Sequence, residues 1–337
     1  MFFYIEPAQF SNLKKREIEL KLLTRTSSGL NVRVFGVVIA LILTFITFGI
    51  LEPVFLSFDI LLEIGVQSTI IALVALGLTF VIVTGGIDIS VGAIVGLTAV
   101  LCATNLEKWG TVLTIVMAFA ISSLLGLFNG AMTALFNLQS FVVTLATLNL
   151  FRGIAFVYTQ GRPIYNLDQG FRDFFSGDLG PIPKPVLFLA TATFIAYLIL
   201  NKSRLGLHLK AIGTNIDAAR RSGVQVRRVQ IAAFVLCGGF CGFGTLMFIS
   251  RIGAAEPISG TGFELQAIAA VVVGGTSLMG GKGSILGTVL GAVLLGSIAV
   301  GLTLLNVNAF VQLVVTGLIV LCAVLTDRFT TKPRGDS

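Results

Sequence analysis

Residues 64–105 read IGVQSTIIALVALGLTFVIVTGGIDISVGAIVGLTAVLCATN. The stretch holds no lysine or arginine and a single acid, Asp88. Its first apolar run, 64–84, is long enough to cross a hydrocarbon layer about 30 Å thick, and its second, 91–105, nearly so. Between them VTGGIDISVG, residues 83–92, breaks what would otherwise be one continuous apolar segment. Gly85 and Gly86 can end one helix, and Asp88 or Ser90 can cap the next.

The same alternation of apolar run and short break continues along the chain. It predicts ten spans, at about 34–51, 64–84, 91–105, 111–136, 140–159, 185–201, 230–250, 263–280, 284–303 and 310–326. Composition agrees: of 337 residues, 55% are hydrophobic and 12% charged, against about 25% charged in soluble domains. The fold class is all-α, a polytopic helical membrane protein, with a basic segment 1–33, a membrane domain 34–326 and a tail 327–337. An amphipathic surface helix is expected within 2–25. No short apolar core with a small-residue cleavage site precedes the first span.

The basic residues orient the chain. Segments 1–33, 201–229 and 327–337 and Lys282 gather most of the lysines and arginines on one side. Lys108, Arg162, Arg172, Lys184 and Arg251 fall on the other, and Arg152 inside a span. By the positive-inside rule both termini face the cytoplasm. The net charge of +7 therefore reports topology and anionic lipid, and gives no nucleic-acid footprint. Cys102, Cys237, Cys241 and Cys322 all lie in apolar stretches and His208 in another segment, a pattern of small buried hydrophobes with no metal site.

The largest basic loop, 201–229, contains NKSRLGLHLKAIGTNIDAARRSGVQVRRV. Asn215 can cap a short helix with Asp217 in its first turn, Arg220 and Arg221 in its last, and Gly223 past its end. Small Ala218 and Ala219 would let such a helix enter a groove on a cytoplasmic partner. The loop 160–184, opposite, has balanced charges and several aromatics and prolines, and is expected to form an ordered lid or a short surface helix.

A second glycine-rich break, VVVGGTSLMGGKGSILG at 271–287, only superficially resembles a phosphate loop. Thr276 stands where the first glycine belongs, and Gly283 follows Lys282 where Ser or Thr is required. If ATP drives this protein, another polypeptide hydrolyses it. Gly283, Gly287 and Gly291 set a GxxxG stripe for close helix packing, within or between subunits.

Three motifs in order, VTGGIDISVG, LGLHLKAIGTNIDAARRSGV and GTGFELQAIAAVVVGGTSLMGGKGSILGT, are similar to the permease subunits of bacterial ABC importers for ribose and related simple sugars. The similarity covers about 60–325. It implies about ten spans and residence in the bacterial cytoplasmic membrane. It implies a second permease copy (homodimer or paralogue heterodimer), an external sugar-binding protein, and an ATPase subunit with paired nucleotide-binding domains. ATP and Mg would sit on that ATPase, with no cofactor on this chain. The coupling residues implied are Gly213, Asn215, Asp217, Ala218, Ala219, Arg220, Arg221 and Gly223. Polar groups on apolar helices are candidates for the translocation path: Gln67, Asp88, Asn129, Asn149, Arg152 and Glu264, with Glu264 capping or pairing near the external face as its structural role. For Asp88 the structural role is a helix cap at the cytoplasmic border. An ion-coupled secondary transporter of a small polar solute is the alternative reading; it would need converging membrane-depth acids or broken helices.

Overall fold

The computed structural model describes residues 34–330; the amphipathic helix expected within 2–25, the basic segment 1–33 and most of the tail lie outside the described residues. The chain is a bundle of long apolar helices. In order these are α1 (Val34–Leu51), α2 (Phe58–Val83), α3 (Val91–Leu135), α4 (Ser140–Thr159), a short α5 (Gln169–Ser176), α6 (Lys184–Lys202), two small helices α7 (Arg204–Thr214) and α8 (Ile216–Arg221), then α9 (Val226–Ile252), α10 (Phe263–Val273), α11 (Ile285–Leu304) and α12 (Ala309–Thr330). Seven of them are long and apolar enough to cross a membrane.

The 45 residues of α3 would measure about 68 Å if straight, twice a bilayer core. They form instead two arms folded back at Gly110, whose φ of 67° and ψ of 172° leave the helical region. Asn129 on the second arm donates to Ser90 Oγ at the head of the first, 2.8 Å away. Counting those arms separately, ten helical segments occupy the places of the ten expected spans. Two differ by six residues or more. α2 begins at Phe58, a turn and a half before the expected 64. The eighth, expected over 263–280, is helical only to Val273, so it reaches about 16 Å and crosses half a bilayer. It stops because Gly275, Gly280 and Gly281 take φ of 87°, 78° and 77°, a region open to glycine and closed to most side chains.

The core lies where α9 crosses α2 and the second arm of α3. Closely spaced glycines allow that crossing. A Cβ on Gly242 would lie 2.7 Å from the Ala118 carbonyl oxygen, and one on Gly77 2.8 Å from that of Cys237. The stripe in α11 packs inside the subunit as well, against α10. Added Cβ atoms on Gly287 and Gly291 would meet the Gly274 backbone at 3.0 and 3.1 Å. Gly283 precedes the helix and lies against Val83 and Thr276. With no hydrophobic drive between helices in lipid, such backbone-to-backbone approach supplies the dispersion contact that holds the pair.

The segment 160–184 is ordered, as its composition implies. Asp168 caps α5 by accepting from the Phe171 N–H at 2.9 Å, Phe171 and Phe175 are buried, and a two-stranded hairpin pairs Asp178–Leu179 with Ile182–Pro183.

Gly287→Leu is expected to force α10 away from α11. Because the obstacle is backbone, the cost exceeds the about 1–3 kcal/mol typical of overpacking, and the yield of folded protein in detergent falls sharply. Gly153→Leu, where nothing lies within 4 Å of the added Cβ, is the control and should give near-native yield and melting temperature.

Candidate functional site

The basic loop forms two helices where the sequence announced one. Ser203 opens α7 by accepting from the Gly206 N–H at 3.1 Å. Lys210 donates to Asn201 Oδ1 at 2.9 Å, and burial pushes its ammonium below the ordinary lysine value. The chain then turns at Asn215, whose Oδ1 accepts from the N–H groups of Asp217 and Ala218 at 3.0 and 2.9 Å. Gly223, with φ of 84°, ends the segment. Asp217 and Arg220 form an exposed pair at 3.4 Å. The two alanines separate: Ala218 is exposed, whereas Ala219 is buried, its carbonyl accepting from the Val224 N–H at 3.1 Å. Ala219 therefore packs the loop onto its own subunit, and the free face of α8 carries Ile216, Asp217, Ala218, Arg220 and Arg221.

At the base of α8 three backbones meet with almost no side chain between them. Gly213 presses on the Val83 carbonyl and the Gly281 amide, and a Cβ on Gly280 would lie 2.7 Å from the Gly85 nitrogen and 3.0 Å from the Gly213 Cα. The Gly281 N–H donates to the Val83 carbonyl at 2.9 Å. Val83–Gly85 leads into the break before α3, and Gly280–Gly281 follows α10, so one joint ties the coupling loop to both glycine-rich breaks.

From that joint residues 84–90 climb beside α4. The Ile87 N–H donates to Ser140 Oγ at 3.0 Å and the Ile89 N–H to Thr144 Oγ1 at 3.2 Å. The helix α3 therefore starts beside the first turn of α4. Asp88 is fully buried there within the bundle. Its Oδ1 accepts from the Ser90 N–H at 2.9 Å and the Ser90 hydroxyl at 2.7 Å. Ser90 holds the cap position without a side-chain cap bond of its own, so the carboxylate two residues earlier serves the helix start. Asn129 completes the group, with its Oδ1 buried and unpaired.

A third irregular segment, 253–262, enters from the opposite end of the bundle. Arg152 lies twelve residues up α4 from Ser140, about 18 Å along its axis, and its Nη1 donates to the carbonyls of Pro257 and Ser259 at 2.8 and 2.6 Å. Gly96 makes room: a Cβ there would sit 2.6 Å from the Ser259 oxygen and 2.8 Å from Arg152 Nη1. Glu264 is at the head of the half-helix, against Gly92, in the capping role expected of it. Its Oε1 accepts from the Gly262 N–H at 3.2 Å, and its Oε2 is buried and unpaired. Glu264 also acts electrostatically on Arg152. Each membrane-depth acid thus stands at the N-terminal end of a broken helix, where the helix dipole and free N–H groups favour negative charge.

Of the other path candidates, Gln67 lies farther along α2 and accepts from Arg251 Nη1 at 2.7 Å, beside the 2.7 Å pair of Arg251 with Glu63. Asn149 is exposed on the outer face of α4, bonded only to its own helix at Leu145, and does not join the junction. The sequence reading missed Gly280 and Gly281 as joint residues, signalled only by their pairing in GGKG, and Gln312 on α12, which shares a cleft with Gln67 and Gln266.

The family model for the permease component of branched-chain amino acid transport systems matches residues 60–324. The ribose import permease protein of Bacillus subtilis is 41% identical over 296 residues, covering 87% of this chain and 92% of the relative. That of Haemophilus influenzae is 37% identical over 296 residues, covering 86% and 92%. The D-allose transport system permease protein of Escherichia coli is 35% identical over 303 residues, covering 88% and 92%. No solved structure matches the chain significantly.

Replacing Arg152 removes two charge-assisted bonds to otherwise free carbonyls, each worth about 1.5–3 kcal/mol. Arg152→Met should lower the melting temperature of the purified chain by several degrees. Arg152→Lys, which keeps the charge without the planar fork, should fall between it and the parent. Equal melting of all three would show that the arginine does not pin the segment.

Proposed function

The chain belongs to the permease-component family of transport systems just described, and from that premise we propose that it imports a simple sugar as the membrane-spanning subunit of an ATP-driven importer. The basic ends and the α7–α8 loop face the cytoplasm, and α5 with its hairpin faces outward, in a bacterial cytoplasmic membrane. Sugar arrives on an external binding protein. A separate ATPase with paired nucleotide-binding domains holds ATP and Mg. A second permease copy completes the translocation unit.

One observation carries the reading: a small capped helix exposes most of its surface, and the last turn of α7 that leads into it rests, through Gly213, on the backbone of both glycine-rich breaks. The exposed Ile216 and Ala218 give it a narrow apolar edge for a groove in the ATPase, flanked by Arg220 and Arg221 for acids on the rim. Closure of the ATPase around ATP would displace α8, and the joint would carry that displacement to residues 84–90 and 279–283 together. Helix starts at Ser90 and Gly262 then shift relative to α4, opening the bundle outward. Hydrolysis reverses the shift. ATP drives the cycle because it favours one of the two states through the ATPase. Asp88 and Glu264 are engaged as caps of broken helices, which serves a moving gate without requiring a coupling ion.

Ala218→Glu places a charge on the exposed face of α8 without touching the membrane domain. It is expected to leave folding and insertion intact, to weaken co-purification with the ATPase, and to lower ATP-driven sugar uptake at least tenfold. Arg220→Ala removes a rim charge worth under about 1 kcal/mol and should cost less than about fivefold. Ala219→Glu strikes the subunit's own packing and should reduce folded protein as well. Full uptake with Ala218→Glu would remove α8 as the coupling element. Uptake by the chain alone under a proton or sodium gradient would favour the ion-coupled alternative.

A further inference from the structure

A cleft of about 200 Å³ runs between α2, α10, α11 and α12. Gln67 sets it beside the Arg251–Glu63 pair, toward the end of the bundle bearing α5, and Gln266 joins it from the half-helix. The remaining polar lining is Ser68, Gln312 and Thr316, set among aliphatic side chains of α11 and α12. Ser68 donates to its own helix at the Ile64 carbonyl, 2.6 Å away. Gly296 lets α11 close the floor, since a Cβ there would come within 3.2 Å of the Ser68 Cβ.

Resting on the importer reading above, we infer that this cleft is the outer sugar-passage site of the subunit, and that the three glutamines select a neutral polyhydroxylated ring. The hydrogen-bond inventory supports that chemistry. Gln67 commits its oxygen to Arg251, leaving its amide hydrogens. Gln312 commits its amide group to the Val307 carbonyl at 3.1 Å and to Thr303 Oγ1 at 3.4 Å, leaving its oxygen. Gln266 has no side-chain bond among the described residues. The cleft thus offers donors, acceptors and one complete amide, which suits vicinal hydroxyls that both donate and accept. No charged side chain lines it, so ions find neither a partner nor a high-dielectric route. No aromatic ring lines it to stack on a sugar face, so occupancy is weak and cargo is not trapped. The volume corresponds to about six or seven waters, the scale of one monosaccharide ring.

The test uses the permease reconstituted in proteoliposomes with its ATPase and binding protein, and radiolabelled D-ribose, D-allose and D-galactose as probes. Gln266→Leu and Gln312→Leu should each lower uptake of the transported sugar at least tenfold, with binding-protein-stimulated ATP hydrolysis kept within twofold of the parent. Gln312→Cys, in a Cys322→Ala background, should react from outside with a charged methanethiosulfonate, and reaction should block uptake. Parental uptake by both leucine variants, or uptake unaffected after complete labelling, would overturn the cleft while leaving an active importer. If the parent moves none of the three sugars under ATP, the importer reading fails and takes the cleft with it.

Discussion

Backbone amides at membrane depth must find partners within the protein, because hydrocarbon supplies none. Two stretches of this chain, 84–90 and 253–262, are irregular at that depth, and the polar residues around them are their partners. Ser140 and Thr144 on α4 accept from Ile87 and Ile89, and Asp88 accepts from Ser90. Glu264 accepts from Gly262, while Arg152 supplies two carbonyls and Ser259 serves Glu256. The charges that look out of place in an apolar sequence are therefore what allows two helices to be broken. A broken helix has ends that can shift against their neighbours, whereas a continuous one moves only as a rod.

Glycine does the complementary work. At the base of α8 the backbones of Val83, Gly213 and Gly281 touch directly. No flexible side chain separates them to absorb a displacement, and packed interiors transmit small shifts as discrete rearrangements. Similar contacts bind α10 to α11 and α9 to the second arm of α3. The stripe at 287 and 291 holds the half-helix against a full one, so the short α10 is supported along its length although it spans only half the layer.

Much of this was legible in the amino-acid order. The apolar runs announced the spans, and Asn215, Asp217, Arg220, Arg221 and Gly223 announced α8, because capping chemistry is local. Asp88 and Glu264 were recognisable as costly acids, but the N–H groups they serve were not. Hydropathy reports which residues avoid water and says nothing of where an irregular segment re-enters, so 263–280 read as one span. The division of labour between Ala218 and Ala219 was equally hidden: both are small, and only the turn of α8 onto α9 decides which is buried. Gln312 escaped notice because it belongs to a cleft assembled from four helices distant in sequence.

The central claim is that the coupling loop moves the two irregular segments that meet at the glycine joint, 84–90 and 274–284, as a unit. Hydrogen exchange on the assembled complex, compared between its nucleotide-free form and a form trapped with ATP and vanadate, tests it most directly. The account predicts that protection changes together in 84–90 and in 274–284, which meet at that joint. Changes confined to 204–222, with both irregular segments unaltered, would contradict it.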